Sequence, residues 1–191
     1  MSAGARLAPG GLAGWGATTL LIAGATVLSG RTGWMATLAL PAALGFVCAW
    51  IAWEDLAELT IPDAALAGMV GLAAVDLAST ALFRFDPASA TGLFALDGLL
   101  CGGALWVLRE IYFRRRGHDG IGFGDVKLAV AGGCLCGFGG FSLALLAASL
   151  AGLVVAALAA RRGAGRWEAK IAFGALLAPA LCAAWLLGVG R

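Results

Sequence analysis

Apolar runs long enough to cross a membrane recur along this chain and leave it little choice of fold. Seven can be read, over roughly 12–29, 34–53, 64–83, 92–112, 126–140, 142–160 and 171–189. Most reach the ~17–25 residues that a spanning helix needs. The run at 126–140 is short and the break GFGG at 137–140 is weak, so six or seven spans are expected. The chain is 61% hydrophobic and 13% charged, whereas soluble domains carry about a quarter charged residues. It cannot cover its own surface with polar groups, so lipid must serve as its solvent. The expected fold is all-α: a polytopic transmembrane helix bundle forming one integral-membrane domain over 1–191. The first run reads as a span rather than a signal peptide, because no small-x-small cleavage site follows it. The longest polar segments, 113–125 and 161–170, read as connecting loops.

Basic residues set the orientation. With seven alternating spans, Arg6, Arg109, Arg114, Arg115, Arg116, Lys127, Arg161, Arg162, Arg166 and Lys170 fall on one side, against Arg31, Arg84 and Arg191 on the other. The richer side is expected to be cytoplasmic, with the N-terminus inside. The net charge of +2 says little about partners, and no nucleic-acid partner is expected. Cys48, Cys101, Cys134, Cys136 and Cys182 all lie in apolar runs without a CxxC pair, and His118 is the one histidine. Zinc sites need more ligands than that, so the cysteines read as small buried apolar residues, with no metal and no cofactor expected.

The acids are more informative. Glu54, Asp55, Glu58 and Asp63 cluster in WEDLAELTIPDAAL, a segment without a base just past the second run. Pro62 fits the first turn of the helix that follows. Asp125 lies in GIGFGDVKL, at the entrance to another apolar run and on the same predicted face. A helix-starting aspartate is favoured by the macrodipole, which is the plain structural explanation. A functional one competes with it. Two carboxylates can hydrolyse a peptide without metal or nucleophile: one, ionised, takes a proton from water, while the other, protonated, polarises the carbonyl. Close approach makes such a pair titrate as one unit. Gly122 and Gly124 lack Cβ atoms and would let a substrate backbone come near Asp125.

Rival chemistries lack their parts. A zinc protease of the HExxH type needs two histidines. No GxSxG turn is present, Lys127 and Lys170 have no nearby serine in sequence, and the glycine-rich stretch lacks the GxxxxGK[ST] order of a phosphate-binding loop.

At these residues the chain resembles the type IV prepilin peptidases, which are GxGD aspartyl proteases. Asp55, Pro62 and Asp63 match the family's aspartate, followed seven positions later by proline and then Asp or Asn. Gly122-Phe123-Gly124-Asp125-Val126-Lys127-Leu128 matches its second motif. Ile171-Ala172-Phe173-Gly174 is similar to a third, PFG, with Ala172 where proline is usual. The resemblance covers roughly 38–185. It implies Asp55 and Asp125 as the catalytic pair, with Gly122, Gly124, Lys127 and Pro62 supporting the motifs. It also implies a multi-pass inner-membrane protein whose active site faces the cytoplasm. The implied substrate is a prepilin or pseudopilin with a basic leader, of the Flp type or another pilin-like secretion protein. The cysteine-bearing domain linked to N-methylation has no counterpart here, so methyl transfer is expected to be absent.

The acid-rich segment suggests that Glu54 and Glu58 hold the basic leader by charge. Two further acids, Asp76 and Asp97, lie inside apolar runs, where ionisable residues are costly and point to function. They support the alternative of a small ion-coupled transporter; a non-catalytic pilus-assembly membrane protein is a further alternative.

Overall fold

The computed structural model describes residues 34–84, 87–117, 120–161 and 172–189. The first apolar run, His118, the basic residues at 162–170, Ile171 and Arg191 lie outside the described residues. Five helices follow in order: α1 (Trp34–Glu58), α2 (Asp63–Arg84), α3 (Pro87–Arg116), α4 (Phe123–Arg161) and α5 (Gly174–Leu186). No strand occurs among the described residues. Three helices, α1, α3 and α4, are long and apolar enough to cross a membrane, as expected of a helical membrane protein.

The helices outrun the apolar runs that announce them. α1 continues through Glu54, Asp55 and Glu58, so these acids occupy its last turns rather than a loop. Intrahelical bonding does not stop where the side chains turn polar. The connection to α2 is only 59–62, and that from α3 to α4 only 117–122, shorter than the polar segment 113–125 suggested. Leu59 ends α1 with φ 55, its N–H bonded to the Asp55 carbonyl at 3.0 Å. This is the left-handed cap usually given to glycine. Pro62 stands one place before α2, not within its first turn: its carbonyl accepts the N–H groups of Ala65 and Leu66.

α4 consists of two helical legs broken at Gly137. Its 39 residues would extend ~58 Å if straight, nearly twice the hydrocarbon thickness of a bilayer. At Gly137 the backbone takes φ 69, ψ 172, a region open almost solely to glycine. The chain turns back there. A Cβ on Gly132 would lie 3.1 Å from the Phe141 ring and 2.8 Å from Leu181, although 132 and 141 would be ~13 Å apart along a straight axis. Gly140 faces Val189, whereas Gly152 faces Leu176. The leg 123–136 therefore runs parallel to α5 and the leg 138–161 antiparallel to it.

The second leg leans on its neighbours through small positions, Gly140, Ala144, Ala148 and Gly152, and exposes Leu146, Leu150, Leu153 and Val154. Such an apolar exterior suits lipid contact rather than water. Inside, Leu44 and Ile51 of α1, Met69 and Leu72 of α2, Leu128 of α4 and Leu177 and Leu181 of α5 are wholly buried. They form a core that brings the end of α1 and the starts of α2, α4 and α5 to one end of the bundle.

Candidate active site

Asp55 is 5% exposed and is the buried charged side chain among the described residues. A buried carboxylate needs partners, and Asp55 finds them across the bundle. Its Oδ2 accepts the Ala175 N–H at 2.8 Å. The first N–H groups of any helix lack intrahelical acceptors. α5 begins after Phe173 without a side-chain cap of its own. Asp55, 120 positions earlier, is thus the capping carboxylate of α5.

Asp125 lies in the first turn of α4, where the helix dipole favours an acid. Its N–H bonds to the Gly122 carbonyl at 3.2 Å. Asp55 and Asp125, 70 positions apart in sequence, share one end of the bundle, since Gly124 beside Asp125 and Gly174 beside Asp55 Oδ2 both face Ile61.

Ile61 holds the three segments together. A Cβ on Gly124 would come within 3.2 Å of Ile61, and one on Gly174 within 2.9 Å of Ile61 Cδ1 and 3.0 Å of Asp55 Oδ2. The room at Gly124 is therefore taken up by Ile61, and the glycine lets the two acidic motifs pack. Gly122 is exposed, with its Cβ direction facing Asp125 Oδ2 at 3.3 Å.

A basic strut lies beside the acids. Lys127 Nζ donates to Asp63 Oδ1 at 2.6 Å and sits 5.5 Å from the Phe123 ring centroid. Arg109 lies 6.0 Å from the same ring, and its Nε donates to the Ile121 carbonyl at 3.2 Å. The segment 54–63 thus has a base in space that it lacks in sequence. Glu54 accepts from the Trp50 indole at 3.4 Å, and Glu58 is exposed.

Other residues lie elsewhere. Asp76, ~20 Å along α2 from Asp63, accepts the Trp185 indole N–H at 3.1 Å, and Ser79 Oγ donates to the Asp76 carbonyl. Asp97 neighbours Cys101 and Cys134. Cys134 Sγ faces the Phe94 carbonyl while Cys136 Sγ faces that of Leu181, so the two point to different helices. Among the described residues no group of His, Cys, Asp or Glu is arranged to hold a metal ion.

Sequence reasoning did not find the Ala175 amide, Arg109 or Phe123 as parts of this site. The similarity at Phe173-Gly174 was the one hint that α5 takes part; backbone donors and long-range pairings leave no pattern of their own.

Comparison with known proteins identifies the family. The type IV leader peptidase family matches residues 42–157. Two proteins named prepilin leader peptidase/N-methyltransferase, from Burkholderia pseudomallei strains 1026b and K96243, are each 33% identical over 166 residues. That alignment covers 85% of this chain and 50% of each relative, so the chain spans about half their length. No solved structure matches significantly. With more than half of its length matched, and both acidic motifs inside the match, the chain belongs to the type IV leader peptidase family.

Proposed function

We propose that the chain is a membrane aspartyl endopeptidase that removes the basic leader from type IV prepilins of the Flp kind, or from pilin-like secretion proteins. On this proposal residues 1–191 act as one domain with six or seven spans, the N-terminus is cytoplasmic and cleavage occurs at the cytoplasmic face of the inner membrane. The carrying observation is that Asp55 and Asp125, each supplied by a separate motif, come to the same end of the bundle, where Ile61 packs against Gly124 beside Asp125 and against Gly174 beside Asp55 Oδ2.

The chemistry follows from two carboxylates sharing one proton. The ionised member takes a proton from water as the water oxygen bonds to the scissile carbonyl carbon. The protonated member gives its proton to the carbonyl oxygen, and a neutral gem-diol forms. On collapse the first carboxyl returns its proton to the leaving nitrogen, the second carboxylate takes a proton from the gem-diol, and the C–N bond breaks. The pair ends as it began, with one water consumed. Partial burial strengthens each charge interaction along the way.

Gly122, exposed beside Asp125, offers the substrate backbone an approach, while Pro62, Gly124 and Lys127 hold the motifs in register. Glu54 and Glu58 lie where a basic leader at headgroup level would pass.

The test is co-expression with candidate prepilins from the same genome, followed by mass spectrometry of the products. Cleavage between a basic leader and the apolar helix is expected. Intact prepilins in the presence of well-inserted protein would overturn the proposal.

A further inference from the structure

The first turn of α5 lies outside both acidic motifs, yet it donates a hydrogen bond to one of the two acids. The Ala175 N–H reaches Asp55 Oδ2 at 2.8 Å, and Gly174 lies against the same oxygen. α5 has 13 residues and no side-chain cap of its own. Its leading N–H groups carry the positive end of the helix dipole, and they point at a carboxylate that α1 delivers buried. Gly174 is also constrained by that acid, since a Cβ there would sit 3.0 Å from Oδ2 and 2.9 Å from Ile61 Cδ1.

We propose that Gly174 and the Ala175 amide form a positioning element that fixes the Asp55 carboxylate for the reaction. This rests on the reading of Asp55 and Asp125 as the catalytic pair. An oxygen that already accepts a backbone N–H at 2.8 Å is a poor site for a further proton. Oδ2 is therefore the anchored oxygen, and Oδ1 is the one that takes the proton from water. Asp55 is the ionised member in the resting pair, and Asp125 holds the shared proton. Because the donor belongs to backbone at a helix start, it needs no reorganisation during turnover. The start of α5 is therefore where the plane of the Asp55 carboxylate is set.

The test replaces Ala175 by lactic acid, turning one amide into an ester. The side chain is kept and only the N–H is lost. Full-length protein in detergent, assayed with a prepilin, should lose at least about tenfold in kcat while KM holds within about twofold, as expected for a hydrogen bond to a charged group. A role confined to holding the bundle together would instead change the amount of folded protein and leave kcat per folded molecule as it was; that result overturns the inference. Gly174→Ala should give the same kcat loss, and adding Ile61→Ala should not restore it, because the contact with Oδ2 remains. Full recovery in the double variant would reduce Gly174 to a packing role and overturn its share of the proposal. Asp55→Asn and Asp125→Asn are measured alongside. If either cleaves normally, the catalytic reading itself fails; if both are inactive while the ester variant keeps full kcat, only this inference fails.

Discussion

Lys127 closes a 2.6 Å ion pair with Asp63 across 64 positions of sequence, and so joins the start of α4 to the start of α2. The pair is largely open to solvent, with side-chain exposures of 42% and 75%, where ion pairs contribute at most about 1 kcal/mol. On the proposed function its use is in alignment, tying the helix that carries Asp125 to the start of α2. Lys127→Ala and Asp63→Ala should each lower kcat several-fold with little change in melting temperature. The exchange Lys127→Asp with Asp63→Lys should recover part of the loss. A double-mutant cycle on kcat checks this, and additive losses would show that the two residues act separately.

The two acids themselves should behave as a unit. Asp55→Asn and Asp125→Asn are each expected to remove processing, with the double variant no worse than either. Asp55→Asn keeps a side-chain oxygen for the α5 cap, so its stability should match the parent, whereas Asp55→Ala should be less stable by about 0.5–2 kcal/mol. Thermal unfolding beside a cleavage assay separates the capping role from the chemical one.

Glu54→Gln with Glu58→Gln should raise KM for a basic-leader prepilin and flatten its dependence on salt, while kcat is largely kept. The Lys127–Asp63 pair reduces the negative field of this segment, so a modest, several-fold change in KM at low salt is expected. Initial rates at two ionic strengths measure it.

Asp76 tests the transport alternative. Its carboxylate accepts from the Trp185 indole, a contact that Asn can also accept. Asp76→Asn should leave cleavage unchanged, while Asp76→Leu should destabilise the protein by about 1–3 kcal/mol through loss of that acceptor. A proton flux that disappears in Asp76→Asn would favour transport instead.

Gly137→Ala should cost about 1–3 kcal/mol, because φ 69 with ψ 172 excludes a Cβ. Thermal melting of the purified protein reports this. The same change at Gly103, which has open space around its Cβ direction, should have no such effect.

Much of this site was legible in the chain because its chemistry comes from local patterns. Asp55-to-Asp63 and Gly122-to-Leu128 are short, and residue types at fixed spacing carry them. Helix membership near the interface was harder to read. Hydropathy falls at Glu54, but the backbone ladder of α1 runs on to Glu58, so acids that looked like loop residues sit on a helix. The GFGG break announced a turn without stating its angle, which depends on a single φ at Gly137. Least legible were the pairings that tie the site together. Asp63 finds Lys127, Arg109 finds the Ile121 carbonyl, and Asp55 finds an amide of α5. Each depends on helix packing, and two of the three use backbone groups that every residue possesses.

The turn at Gly137 also bears on how the chain enters a bilayer. From Leu128 to Ala160 there is no charged residue, so the two legs of α4 reach the membrane as one greasy stretch whose tip carries nothing that must be dragged through hydrocarbon. On the proposed topology the legs can enter together as a preformed pin. Lys127 and Arg161, at its two open ends, then stay behind in water on the side where synthesis takes place, and the backbone at the tip, rather than any flanking charge, determines where the polypeptide reverses.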